Sequence, residues 1–506
     1  MAINPIRDGL KDNKFLYMVE MVASGTAREA LLLQSASEIA LLPEIAAGSV
    51  TSYAGGSTGH DPVRMATAVR ARGMTVNVHL TCVNKDRLMI HNILQDMAAL
   101  GLENVFAISG DYPKGADPNA VTFDLDSVQL VDTIAQIRRQ AGVPFQISVA
   151  VSPFKYIEAD CMYQYLKLEK KIAAGADFAI TQLGFDVRKY RELKRYMDER
   201  GLKTPIIGNV YVLGPKAAEK MAKGEPPGCW ASPEMVQKIQ TEAANTKDKG
   251  VAARLERAAQ LTAVLKGLGY AGAYIGGISK ADNIRWIVKR SQELAGQWEQ
   301  FAEELNFGDK NGFYLYDSPK VPAKPVSFAL KASATMHSLV FSKQEPLKSL
   351  VTGVVKAIDH YPSLAHAVER LEFAFKSPAY GCQACGNCVL PDMEYVCPQT
   401  CPKGMRNGPC GGTFNGKCEV VDKPCIWVEV YDRAKSEGHV DQLKTFIPAP
   451  NRGLKKTSSW INFFLDRDVR PGHPGELIHI EPVPVSLVGE AEPVGAAAGT
   501  SGAKAK

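Results

Sequence analysis

Eight short apolar or β-branched runs recur through the first part of the chain, at 15–22, 45–53, 75–83, 104–109, 144–151, 177–182, 205–212 and 272–277. Between most of them lie segments whose apolar residues return every three or four positions. In 85–100 these are Leu88, Met89, Ile93, Leu94, Met97 and Leu100, and the same spacing runs through 126–140, 160–174 and 186–200. A period of about 3.6 buries one face of a helix, whereas short apolar runs suit strands buried on both faces. Strands that alternate with helices pair in parallel, because each helix carries the chain back to the start of the next strand. Eight such units predict an α/β fold closed as a (β/α)8 TIM barrel, with an open doubly wound sheet as the alternative. The stretch 214–269 exceeds one helix and predicts an insertion after the seventh strand. A helix over 281–305 would close the barrel.

Beyond the barrel unit, taken as 1–310, the pattern changes. Residues 311–344 are Pro-rich with little periodicity and read as a connector. Helical spacing resumes over 344–376, at Leu347, Leu350, Val351, Val354, Val355 and Ile358, and opens a smaller cysteine-rich metal-binding domain over 345–470. The remainder, 471–506, is rich in Gly, Ala, Glu, Pro and Lys and reads as a mostly disordered tail. The apolar stretch 30–48 is interrupted by Glu38, Pro43 and Glu44, so it predicts a buried helix and turn, not a membrane span. The N-terminal residues lack the apolar core of a signal peptide, which points to the cytoplasm. A net charge of +5 on 506 residues gives no concentrated basic face for nucleic acid.

Chemistry in a barrel sits at the C-terminal ends of its strands. That rule selects Glu20, Thr51, His79, Thr81, Cys82, Gly110, Asp111, Ser152 and Gln182. Glu20 lies in an apolar run, where desolvation favours the neutral acid. A neutral acid near a second carboxylate, Asp111, suits general acid catalysis, and a structural carboxyl paired with a core cation is the alternative. The Gly-rich loop at 55–59 is compatible with a phosphate cradle or a plain turn.

Of eleven cysteines, Cys82, Cys161 and Cys229 are scattered and eight fall together: Cys382, Cys385, Cys388, Cys397, Cys401, Cys410, Cys418 and Cys425. Clustered thiols in a reducing compartment bind metal more often than they pair. Eight suffice for two four-thiolate sites. The C-x2-C-x2-C opening and the Cys-Pro pairs lean toward 4Fe–4S clusters over structural zinc.

Five segments resemble the methylenetetrahydrofolate reductase family: Met18-Val19-Glu20-Met21, Ser49-Val50-Thr51, His79-Leu80-Thr81-Cys82, Gly110-Asp111-Tyr112-Pro113, and the run from Ala174 to Asp186. The resemblance covers roughly 10–305. It implies flavin-dependent reduction of 5,10-methylenetetrahydrofolate to 5-methyltetrahydrofolate, or its reverse, with FAD preferred to FMN. In that reading Glu20 is the acid that protonates N10 and opens the ring to an iminium. Asp111 contacts the pterin and places negative charge near the reacting carbon, and Gln182 hydrogen-bonds the pterin. Thr51, His79, Gly110, Asp111, Lys167, Lys170 and Lys171 fall at flavin-side positions, Lys171 toward the pyrophosphate. The chain departs from the family at Ser109, at Ser152-Pro153-Phe154-Lys155, and at Lys167 and Lys170, which replace an Asn and an Arg. The cysteine segment, with Arg406 to Gly412 and Gly416 to Val420, resembles the C-terminal module found with some of these reductases. NADH or a ferredoxin-type protein is the implied electron donor, and a homo-oligomer is expected. The competing functions are a pterin-dependent methyltransferase and a non-catalytic electron-transfer subunit with a vestigial barrel.

Overall fold

The structure is a computed structural model. It describes residues 4–22, 28–52, 61–113, 115–116, 121–323, 325–341, 347–472 and 474. The Gly-rich loop at 55–59 and nearly all of the expected tail lie outside the described residues.

Eight parallel strands close into a barrel in chain order: β1 (Leu16–Met21), β2 (Ile45–Val50), β3 (Val76–Thr81), β4 (Asn104–Ile108), β5 (Gln146–Val151), β6 (Phe178–Thr181), β7 (Ile206–Tyr211) and β8 (Gly272–Gly276). Closure is direct, with Leu16 opposite Gly272 and Val19 opposite Ile275. The eight predicted runs are these strands, and the open-sheet alternative falls.

The barrel helices are α1 (Pro5–Lys11), α2 (Glu29–Ile39), α3 (Pro62–Arg70), α4 (Arg87–Ala99), α5 (Ser127–Ala141), α6 (Glu158–Ala174) and α7 (Val187–Glu199). The insertion after β7 supplies α8 (Pro215–Ala222) and α9 (Pro233–Asn245) before α10 (Val251–Gly267). Then α11 (Ala281–Leu294) and α12 (Trp298–Glu304) complete the ring.

Strand residues alternate between two environments, as a pleat requires. Tyr17, Val19 and Met21 pack outward against the helices. Leu16 and Met18 point inward, where they join Ala47, Phe106, Phe178, Ile180, Ile207 and Tyr274 in an interior cluster. Ile6 of α1 plugs the lower end of this cluster and is fully buried. Burying each such side chain contributes about 1.5–3 kcal/mol. Polar side chains interrupt this apolar interior: Ser49, Asn77 and Ser148 exchange hydrogen bonds between β2, β3 and β5.

The expected connector holds a helix, α13 (Phe328–Val340), started by Ser327, whose side chain accepts from the Leu330 N–H. Expected helix 344–376 is two helices, α14 (Leu347–Asp359) and α15 (Pro362–Tyr380). The break falls at Tyr361-Pro362, where proline disfavours helical geometry in the residue before it and itself suits the first helical turn. The cysteine segment is mostly irregular. It ends in α16 (Ile426–Glu437) and α17 (Ser459–Phe464). Phe464 and Ile461 of α17 pack with Val355 of α14 in a separate small core. Among the described residues, no helix is long and apolar enough to cross a membrane.

Candidate active site

Continuing the inward alternation of β1 past Leu16 and Met18 places Glu20 at the C-terminal mouth of the barrel. Its carboxylate accepts the Gly277 N–H at 3.3 Å. A side chain at Gly276 would put its Cβ 2.8 Å from Glu20 Oε2, so that glycine leaves room for the acid. Burial raises the Glu20 pKa, and the single backbone hydrogen bond offsets this only in part. Tyr211 and Tyr274 lie within reach of its charge. The structural-carboxyl alternative requires a cationic partner, and among the described residues no salt bridge to Glu20 is formed.

On the same inward face, the Thr51 hydroxyl donates to Met21 O at 3.4 Å. His79 Nε2 meets Ser49 Oγ at 3.0 Å, with Phe106 edge-on to the imidazole at 4.8 Å. Burial lowers the His79 pKa to about 3, so the ring is neutral. Gln182 is half-buried and turns its Oε1 onto the Leu183 N–H. Gly110 has φ +83°, and a Cβ there would meet Val83 at 2.7 Å, which restricts this turn to glycine. Asp111 follows it, half-buried, with its pKa raised by burial and opposed by Lys403.

Lys403 belongs to the cysteine module. The module lies on the barrel, against α5, α6 and the mouth. Asp126, the N-cap of α5, fixes it: one carboxylate oxygen accepts the Val128 and Gln129 N–H groups, and the other accepts Arg406 N, Asn407 N and Asn407 Nδ2 at 2.9–3.1 Å. Lys155 donates to Gly411 O at 2.7 Å and also to Thr413 O. Lys167 donates to Pro409 O at 2.8 Å and Gly408 O at 3.2 Å. Asp160 accepts the Gly416 N–H at 2.9 Å, and Tyr163 packs edge-on against Trp427 at 5.0 Å.

This seating brings new residues to the mouth. Lys403 donates to Gly110 O at 2.9 Å and forms a buried ion pair with Glu419. Cys410 Sγ is 3.7 Å from Glu419 Oε1. Cys229, from the insertion after β7, is buried within electrostatic reach of both Asp111 and Glu20, and burial pushes its thiol up to about 12. None of Lys155, Cys229, Lys403 and Glu419 is selected by the strand-end rule. Cys229 sits in an insertion and the two module residues come from far along the chain; only Lys155 carries a signal, as a departure from the family pattern.

The three α6 lysines are all buried. Besides Lys167, Lys171 donates to Ala150 O at 2.6 Å, and Lys170 faces the charges of Asp126 and Asp392. Burial lowers both Lys170 and Lys171 to about 7.

The eight clustered thiols fall into two neighbourhoods. Cys382 and Cys397 each feel the charges of Cys385 and Cys388. All four line one cavity of about 30 Å³ with Lys376 and Glu372. Cys401 feels Cys418, and Cys425 feels Cys401 and Cys410. Among the described residues, no three His, Cys, Asp or Glu side chains close on one point as a metal site. The surroundings nevertheless suit thiolates. Arg406 is buried within electrostatic reach of Cys385, Cys388 and Cys397, and among the described residues its Nε has no hydrogen-bond partner. Lys376 Nζ lies 3.4 Å from Cys388 Sγ. The backbone N–H groups of Ala384 and Val420 point at Cys382 and Cys418 sulfurs, each at 3.4 Å. Asp126 also lies within reach of the guanidinium charge, and metal-bound thiolates would add to that compensation.

A family model described as methylenetetrahydrofolate reductase matches residues 6–270, and one described as methylene-tetrahydrofolate reductase C terminal matches 361–452. A probable methylenetetrahydrofolate reductase (NADPH) of Caenorhabditis elegans is 31% identical over 157 residues, 30% of this chain and 22% of that one. The 5,10-methylenetetrahydrofolate reductases of Salmonella typhimurium and Escherichia coli are 32% and 33% identical over 152 and 153 residues, in each case 30% of this chain and 48% of theirs. The chain thus spans less than half the length of these curated relatives.

Proposed function

The chain belongs to the methylenetetrahydrofolate reductase family, whose model covers more than half of it, and on that premise we propose that it interconverts 5,10-methylenetetrahydrofolate and 5-methyltetrahydrofolate. The observation that carries this reading is the partly buried Glu20 carboxyl at the barrel mouth, with its pKa raised by burial and no salt bridge to it among the described residues. A carboxyl whose protonated form is favoured by burial can deliver its proton to N10 of the folate. The C–N bond to N10 then breaks, the electron pair stays on N10, and the one-carbon unit is left as an N5 iminium that accepts hydride from a reductant. Asp111 lies three residues beyond the end of β4, at the same mouth, and would stabilise that cation as a preorganised charge. Gln182 would orient the pterin through its amide, after releasing the Leu183 N–H.

The flavin expected from the family does not fit the cofactor half of this mouth. Among the described residues, the Thr51 and His79 side chains hydrogen-bond within the barrel, but the Lys167 ammonium is spent on Gly408 O and Pro409 O, and that of Lys171 on Ala150 O. Proton delivery and folate orientation rest on Glu20, Asp111 and Gln182 alone.

The thiol surroundings do fit metal. Cys382, Cys385, Cys388 and Cys397 would hold one centre and Cys401, Cys410, Cys418 and Cys425 a second. Iron–sulfur clusters there would supply single-electron transfer from a ferredoxin-type donor; zinc would serve structure alone. Metal and acid-labile sulfide analysis of anaerobically purified protein separates the two.

A Glu20→Gln variant tests the reaction. It should bind 5-methyltetrahydrofolate as the wild type does and lose turnover. Normal turnover would remove Glu20 from the assigned role.

A further inference from the structure

The family's cofactor positions on α6 and the segment Lys403–Glu419 of the module cannot both be served by the same contacts. We infer that this segment is a resident protein occupant of the cofactor half of the barrel mouth, so that the enzyme works without FAD bound across it. The inference goes beyond the proposed reaction and does not depend on it.

Three observations carry it. First, the ammonium groups at the family's flavin-side positions on α6, Lys171 among them toward the pyrophosphate, are engaged and covered. Lys167 holds two carbonyls of the module, Lys171 holds Ala150 O, and Lys170 faces Asp126 of the barrel and Asp392 of the module, all three under 7% exposed. A doubly charged pyrophosphate needs donors that can turn toward it, and these are committed to other acceptors in a dry interior.

Second, the segment is seated as a built interface, not as a loose lid. Asp126 accepts three module donors, Gln129 donates to Ile447 O at 2.9 Å, and Asn407 exchanges two bonds with the Ile447 backbone. Gly228 of the barrel insertion approaches Gly411 so closely that a Cβ would lie 2.6 Å from its carbonyl oxygen. Lifting the segment would remove three of the five hydrogen bonds to Asp126, the Gly416 N–H from Asp160 and both carbonyls from Lys155, which is costly for buried charges.

Third, the segment contributes to the mouth as an active-site element would. Lys403 reaches Gly110 O, the turn that carries Asp111, and its ion pair with Glu419 lies within reach of the Asp111 charge. A fixed cation therefore stands next to Asp111, supplied by the protein itself.

The test uses the full chain, purified anaerobically from a riboflavin-replete host with its metals retained. Acid-released flavin is quantified, FAD is titrated by calorimetry, and hydrogen exchange of 403–419 is followed with and without FAD. The expected result is a flavin-to-protein ratio near zero, no saturable FAD binding, and strong protection of 403–419 throughout. A ratio approaching one, or saturable FAD binding, overturns the inference, whether or not 403–419 loses protection. Absence of FAD binding with an unprotected 403–419 also overturns it, because the segment would then not be the occupant. Titration with 5-methyltetrahydrofolate in the same preparation keeps the two readings apart: lack of folate binding counts against the proposed reaction and leaves the flavin result to stand on its own.

Discussion

Replacing Asp126 should detach the module from the barrel. This carboxylate is 2% exposed and accepts five hydrogen bonds, two within its own helix and three from the module. In Asp126→Ala the lost N-cap costs about 1 kcal/mol. Each of the three module donors, Arg406 N, Asn407 N and Asn407 Nδ2, would be left buried and unpaired at about 1–3 kcal/mol apiece. Water entering the gap lowers that cost, so a total of about 4 kcal/mol is the reasonable expectation, most of it falling on the module interface. Asp126→Asn is the sharper variant. It keeps one oxygen for the helix cap but turns an amide NH2 toward three donors, so it should lose at least half as much despite being isosteric. Urea unfolding followed by circular dichroism, together with hydrogen exchange across 403–419, reads both effects. The interface predicts a separate, earlier transition for the module and loss of protection in that segment. A double-mutant cycle with Asn407→Ala should show coupling of about 0.5–3 kcal/mol. A loss below about 1 kcal/mol in Asp126→Ala, with protection unchanged, would refute the reasoning that this residue fixes the module.

Glu20→Gln should lower folate turnover by about a hundred- to ten-thousand-fold, the usual worth of a general acid, with folate affinity nearly unchanged by calorimetry. Because burial raises the Glu20 pKa, the protonated acid persists above the ordinary carboxylic range. The rate of folate reduction should fall as pH rises through that pKa, and Glu20→Gln should flatten the falling limb. Gly412→Ala would place a Cβ on the Glu419 carboxylate; it should break the Lys403–Glu419 pair and lower folate turnover while barrel stability, read by denaturation, changes little. Lys170 and Lys171 have folded pKa values near 7 against an unfolded value near 10.5. Between those values the unfolded chain binds more protons, so stability should rise with pH from 7 toward 10, on the order of 1 kcal/mol per pH unit for each lysine. Lys170→Met should reduce that slope in urea titrations. Metal removal by a chelator should unfold the cysteine segment, seen as lost hydrogen-exchange protection over 382–425, with the barrel circular dichroism retained.

The barrel is legible in the sequence because its signal is local. Short apolar runs and period-3.6 patterns are written in contiguous residues, and strand ends followed by loops pick out Glu20, Thr51, His79 and Asp111 directly. The division at Tyr361-Pro362 is equally visible in the proline, although the continuous apolar spacing around it suggests a single helix. Helix α13 is hidden because Phe328 and Met336 are exposed, so its sequence lacks the stripe that a packed helix shows. What local pattern cannot convey is the seat of the module. Lys155 and Lys167 meet carbonyls more than 240 positions away, and nothing near either lysine announces that partner. On α6 alone, Lys167, Lys170 and Lys171 read as a ligand-facing charged set. The fold makes them interior residues under a second domain.

Proton delivery by Glu20 is the centre of the proposed chemistry. The decisive measurement is anaerobic incubation of wild type and Glu20→Gln with 5,10-methylenetetrahydrofolate and, in turn, NADH, NADPH and a reduced low-potential dye, with 5-methyltetrahydrofolate quantified by mass spectrometry. The assigned role predicts product with wild type from at least one reductant and at least about a hundredfold less with Glu20→Gln. Equal product from both proteins, or none from wild type with any reductant while the folate is bound, would contradict it.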